Sequence, residues 1–193
     1  MIPLLLGLVI FLGIHLLPTQ PELRRGLAAR FGEGAYKAAF ALVSLLGFAL
    51  IVYGYHKIQL APGKNVFLWT APAWGRHVTM LLMLPVFLLL IAAYLPGRIT
   101  AAVRHPMILA VKLWAAGHLL VRGDMASLLL FGSFLAWGVL ARISLKRREA
   151  AGLVSVKTGP VINDVIAVVL GFLAYLAFVK WGHPALIGIR LIP

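Results

Sequence analysis

The sequence predicts an all-α fold, a polytopic transmembrane bundle of about six membrane segments. Three observations carry that expectation. Hydrophobic residues make up 62% of the 193-residue chain and charged residues only 12%, against roughly half and a quarter in soluble globular proteins. A chain of this size cannot hide that much apolar surface in one aqueous core, because small domains leave a large share of their surface wet. The apolar residues also fall in long stretches, each bounded by turn residues or charge. Lipid is therefore the expected solvent, and residues 1–193 read as one integral membrane domain.

The first apolar stretch, 2–17, stops at Pro18-Thr19-Gln20-Pro21. It has no basic region before it and no small-residue cleavage site near Pro18, so it reads as a membrane segment and not as a cleaved signal. Between it and the second stretch, 38–55, the run Pro21 to Arg30 reads as a short surface helix, with proline and Glu22 in its first turn and arginine later. The third stretch, 78–95, ends before Pro96-Gly97-Arg98. These three approach the roughly 20 residues that span a bilayer. The fourth and fifth, 106–121 and 125–141, are separated only by Arg122-Gly123-Asp124, a helical hairpin with a tight polar turn. At about 1.5 Å per residue each reaches only about 24 to 26 Å, which predicts a short or kinked pair. The sixth, 161–179, ends at Lys180-Trp181-Gly182-His183-Pro184, a cationic and aromatic interface anchor.

The charge is lopsided: 18 Lys and Arg against 5 Asp and Glu, a net charge of +13. Most cations fall in the stretches 18–37, 98–104 and 142–157, which the positive-inside rule places in the cytoplasm. Both termini are then expected outside, in the periplasm if the cell is bacterial. Nucleic acid is not an expected partner, because no basic patch is interleaved with stacking aromatics in a soluble domain. The chain has no cysteine, which excludes disulfides, thiolate metal sites and a cysteine nucleophile. Six histidines remain as the strong ligand type.

Ionisable groups inside apolar segments are costly and are functional candidates by default. His15 falls near the inner end of the first segment and His118 near the outer end of the fourth. Either also reads as a packed histidine bonded to a neighbouring backbone carbonyl. His105 and Lys112 are seven apart and share a helix face, whereas His118 lies about 140° round the helix and about 20 Å along it from His105. A haem held across a bundle takes two histidines from different helices at similar depth. By depth alone His15 pairs with His105, and His118 with His77 or His56. Arg104-His105-Pro106 opens the fourth segment, and the two basic side chains with the free amides of a helix start make an anion or lipid-headgroup site. Lys112 and Asp164 are the remaining intramembrane charges; Lys112 reads either as a snorkelling side chain or as the partner of Asp164 in an ion pair.

Several of these runs carry a family likeness. Gly13-Ile14-His15-Leu16-Leu17-Pro18, Trp69-Thr70-Ala71-Pro72-Ala73-Trp74-Gly75-Arg76-His77, and the stretch from Arg104-His105-Pro106 through Trp114-Ala115-Ala116-Gly117-His118-Leu119 to Arg122-Gly123-Asp124 together resemble the NnrU family of bacterial membrane proteins. The resemblance covers nearly the whole chain. It implies a multi-pass inner-membrane protein linked to denitrification and nitric oxide metabolism. That family is similar to zeta-carotene isomerase, a membrane enzyme that uses haem b, and the resemblance implies haem b here, with His15 and His118 at the positions matching the iron ligands and His105 and His77 in reserve. The Arg-His-Pro start and the hairpin also resemble the isoprenylcysteine carboxyl methyltransferase group, which binds S-adenosylmethionine. The run Ala150-Ala151-Gly152-Leu153-Val154-Ser155 departs from that group's glutamate-and-tyrosine pattern. Three functions follow as expectations: a haem protein with redox, nitric oxide or isomerase-like chemistry; a non-catalytic assembly protein for a respiratory or nitric oxide enzyme; and a membrane methyltransferase.

Overall fold

A computed structural model describes residues 1–61 and 63–192. Among them the regular structure is helical: α1 (Ile2–Leu16), α2 (Pro21–Phe31), α3 (Glu33–Gln59), α4 (Gly75–Ala92), α5 (Arg98–Val103), α6 (Pro106–Val121), α7 (Met125–Ala150), α8 (Val161–Ala177) and α9 (His183–Ile187). Among the described residues five stretches are long and apolar enough to cross a membrane: Ile2–Thr19, Glu33–Gln59, Gly75–Ala92, Met125–Ala150 and Val161–Ile187. Pro106–Val121 is a shorter apolar helix. The chain is thus a helical membrane bundle, with large apolar side chains exposed along its helices, such as Val165, Val168 and Phe172 on α8, where lipid would cover them.

Two expectations need correction. The fifth segment is not short: α7 continues through Arg142, Lys146, Arg147 and Arg148 to Ala150, because arginine, lysine, leucine, glutamate and alanine are all good helix formers even where the apolar run has ended. Likewise the chain does not stop being helical at Lys180. Phe178–Gly182 form a π-helical turn that carries α8 into α9.

By backbone proximity the chain divides into two compact units, residues 1–70 with 123–144, and residues 71–122 with 145–193. In the first, α1 and α3 pack as a close antiparallel pair: Gly54 faces Leu4, and Gly47 faces Phe11. A Cβ on Gly47 would lie 2.7 Å from the Phe11 nitrogen. Small residues let membrane helices approach this closely, where dispersion between backbones replaces the missing hydrophobic drive. The start of α7 is closed by side chains and loop. Met125 N–H donates to the Val66 carbonyl at 2.8 Å, Ala126 N–H to Asn65 Oδ1 at 3.1 Å, and Ser127 N–H to Asp124 Oδ1 at 2.9 Å. Three amides that a helix start leaves open are thereby satisfied. Asn65 Nδ2 donates to Asp124 Oδ1 at 2.7 Å, Ser127 Oγ to Asp124 Oδ2 at 2.7 Å, and Tyr55 OH and Ser127 Oγ lie 2.8 Å apart. Asp124 is 1% exposed, so the tight polar turn read in the sequence is a buried network.

In the second unit, Val86 and Leu89 of α4 and Ala110 of α6 form the core, with Met83, Leu113 and Trp114 packed against it. Thr79 Oγ1 donates to the Gly117 carbonyl at 2.7 Å. On α8, Tyr175 OH donates to the Met80 carbonyl at 3.2 Å, and Phe87 packs against Tyr175 and Phe178. Asp164, in the first turn of α8, accepts from Arg98 N–H at 2.9 Å and Ile99 N–H at 3.0 Å. One carboxylate thus faces the positive ends of both α8 and α5. Among the described residues no ion pair joins it to Lys112, which stays half-buried within α6. The expected pair gives way because Asp164 meets two backbone donors that would otherwise go unmatched.

Candidate functional site

Each histidine named in the sequence has a distinct setting. His15, in the last turn of α1, donates from Nδ1 to the Phe11 carbonyl at 2.7 Å. Its ring stacks on Phe11 at 4.2 Å between centroids and meets the edges of Phe40 at 5.1 Å and Trp137 at 5.9 Å. Trp137 Nε1 in turn donates to the His15 carbonyl at 3.3 Å. Helices α1, α3 and α7 therefore supply an aromatic cage that holds the ring in one orientation.

His118, in the last turn of α6 and in the second unit, repeats the same local arrangement. Its Nδ1 donates to the Trp114 carbonyl at 2.8 Å, and the Trp114 ring lies 5.5 Å away. The neighbouring turn is pinned by Thr79 on the Gly117 carbonyl. In both residues the carbonyl of the preceding turn fixes the Nδ1–H tautomer and so puts the ring's lone pair on Nε2. Metal-ligating histidines show this tautomer control, the non-ligating N–H being held by a carbonyl or carboxylate. Among the described residues no group of three or more His, Cys, Asp or Glu side chains is arranged for a bare metal ion.

His183, read from the sequence as an interface anchor, donates from Nδ1 to the Ile189 carbonyl at 2.8 Å and presents its ring to Phe178.

The two reserve histidines differ from this pair. His77 is exposed in the first turn of α4. His105 Nε2 is taken by the Glu149 carboxylate, so the nitrogen that would ligate is already committed. Glu149 also pairs with Arg104, Nε to Oε2 3.2 Å, and its side chain is only 9% exposed. The anion expected at Arg104 and His105 is therefore supplied from within the chain, by Glu149 at the end of the basic run of α7. Arg104 sits at the apex of a γ-turn, φ 67° and ψ −50°, closed by His105 N–H on the Val103 carbonyl at 2.8 Å. This form of the turn is rare and strained for a residue with a Cβ. It aims Arg104 and His105 at the same carboxylate.

Among curated proteins and solved structures none matches the chain. The family model described as NnrU protein matches residues 3–191, which takes in α1 to α9 with the histidines, the γ-turn and the buried hairpin network. The chain belongs to the NnrU family.

Proposed function

We propose that this protein binds haem b in the membrane, with Nε2 of His15 and Nε2 of His118 each, taken separately, a candidate iron ligand, and that it serves nitric oxide and denitrification metabolism or a carotene-isomerase-like reaction. The observation that carries the reading is the shared bond from Nδ1 to the carbonyl four residues earlier. It fixes the tautomer and the ring direction of both residues before any ligand arrives, and that preorganisation strengthens ligation. Haem b would supply an iron whose potential and ligand exchange depend on the axial imidazoles and on the dryness of the surroundings. The chain's own part is to orient the rings and exclude water. Phe11, Phe40 and Trp137 do both at His15. At His118 the Trp114 ring lies against the imidazole. The cation distribution supports an orientation with both termini outside, which is the periplasm in the bacterial inner membrane that the family resemblance implies.

Absorption spectra of detergent-purified protein from haem-replete cells, oxidised and reduced, test this. A Soret band that is lost in His118→Ala and weakened in His15→Ala is expected. Colourless wild-type protein would sink the proposal. In that case full activity of the double variant, with co-purification of a respiratory or nitric oxide enzyme, would instead establish a non-catalytic assembly role. Binding of S-adenosylmethionine is disfavoured, because Arg104 and His105 already pair with Glu149.

A further inference from the structure

Helix α2 is tied between two membrane helices by very little chain. A 3-10 turn, Leu17–Thr19, and Gln20 join it to α1, and Gly32 alone joins it to α3. Gly32 has φ 85° and ψ 148°, a backbone conformation that essentially only glycine adopts. With α1 and α3 antiparallel and both long and apolar enough to cross the bilayer, α2 must lie at the membrane surface where they emerge. None of its residues is buried by protein. Leu23, Leu27 and Phe31 follow at four-residue spacing along one face, and Leu23 and Phe31 are exposed at 48% and 59%. On a helical wheel Arg24 flanks one side of that face and Arg30 the other, the pattern of a helix lying in the interface among anionic lipids.

Beside α2 a groove of about 220 Å³ is lined by Pro18, Arg24, Tyr36, Lys37 and Phe40. Its walls are apolar and aromatic and its rim is cationic. Arg24 lies over the Tyr36 ring at 5.4 Å. Glu33 holds both cations in place, at 2.5 Å from Arg24 and 3.5 Å from Lys37. Two cations against one carboxylate leave one net positive charge at the rim. We infer that this groove is a binding site for an anionic phospholipid, its phosphate on Arg24 and Lys37, its glycerol and upper acyl chain against Pro18, Tyr36 and Phe40, with the Leu23–Phe31 face of α2 in the surrounding leaflet. An interfacial helix of 11 residues is too short to be stable alone in water, and the lipid surface supplies the apolar contact that the protein does not.

Native mass spectrometry of the full chain, purified in detergent with equimolar phosphatidylglycerol and phosphatidylcholine, tests the inference. Wild type should retain phosphatidylglycerol about five-fold over phosphatidylcholine, the factor for about one cation near an anionic surface. Arg24→Gln combined with Lys37→Gln should bring the ratio to about one. Arg25→Gln, whose partner is Glu22, should leave it unchanged. If the double variant fails to fold by circular dichroism, the single Lys37→Gln change, at an exposed position, should still lower the ratio. A wild-type ratio near one, or a preference that survives in the double or the Lys37 variant, overturns the assignment. So does a double variant that loses haem absorbance yet keeps its phosphatidylglycerol preference, which would give the two cations to a cofactor carboxylate.

Discussion

Replacing Asp124 by alanine is the most informative single perturbation of the fold. The carboxylate is 1% exposed and accepts from Ser127 N–H at 2.9 Å, Ser127 Oγ at 2.7 Å and Asn65 Nδ2 at 2.7 Å, with Gln59 Nε2 more distant at 3.4 Å. The exposed Gln59 can turn to water, and Ser127 Oγ keeps the Tyr55 hydroxyl as a partner. Ser127 N–H and Asn65 Nδ2 therefore lose this acceptor. A hydrogen bond to a charged group contributes about 1.5–3 kcal/mol, and relief of the buried carboxylate's desolvation offsets part of the loss. Asp124→Ala should destabilise the protein by roughly 2–4 kcal/mol, and Asp124→Asn, which keeps one acceptor oxygen, by about 1–2 kcal/mol. Unfolding in mixed micelles, followed by far-ultraviolet circular dichroism, measures both. The loss should also be local. Leu68 N–H donates to the Gly123 carbonyl at 2.7 Å and Met125 N–H to the Val66 carbonyl at 2.8 Å, so these amides should exchange hydrogen faster in the variant while the middle of α3 does not. An alanine variant within about 0.5 kcal/mol of wild type, the range of an ordinary surface substitution, would refute the reasoning.

Other substitutions test other contacts. Gly47→Leu puts a side chain where the Phe11 backbone lies, so it should part α1 from α3 and cost about 1–3 kcal/mol or more, read as a lower unfolding midpoint, while Gly13→Ala, with open space around it, should be neutral. Glu149→Ala leaves His105 without its carboxylate and releases Arg104; because Arg104 is half exposed its share is small, and a loss of about 1–3 kcal/mol is expected, with Glu149→Gln losing less. Asp164→Ala should free the α5 amides and cost about 1–2 kcal/mol, seen as faster exchange at Arg98 and Ile99, whereas Lys112→Met should not alter that exchange. Thr79→Val removes the bond to the Gly117 carbonyl and should cost about 1 kcal/mol and broaden the Soret band of any haem-loaded protein.

The legible part of the fold was the part written in uninterrupted stretches. Long apolar runs set α1, α3, α4 and α8, and Pro21 with Glu22 announced α2. The end of α7 was missed because the apolar count stopped at Ala141, while helix propensity carried on through the basic run to Ala150. His15 and His118 were singled out as ionisable groups in apolar surroundings, and the packed-histidine reading of each anticipated its bond to a backbone carbonyl. Glu149 gave no comparable signal. A glutamate ending a run of lysine and arginine reads as a solvated charge.

Composition and the length of apolar runs determined by themselves that this is a helical membrane protein, because transfer to lipid depends on each segment's own residues and on the need to satisfy its backbone internally. The recognisable runs around His15, Trp74 and His105 placed it with its family. What only the tertiary structure decided is which polar groups meet: Asp124 with Asn65, Asp164 with the start of α5, Glu149 with Arg104 and His105. Those partners are far apart in the chain, and they meet through the register in which helices and loops pack. That register is set by close contacts such as Gly47 on Phe11 and Thr79 on Gly117, and a buried polar group takes whichever partner the packing brings within reach, since going without one is costly.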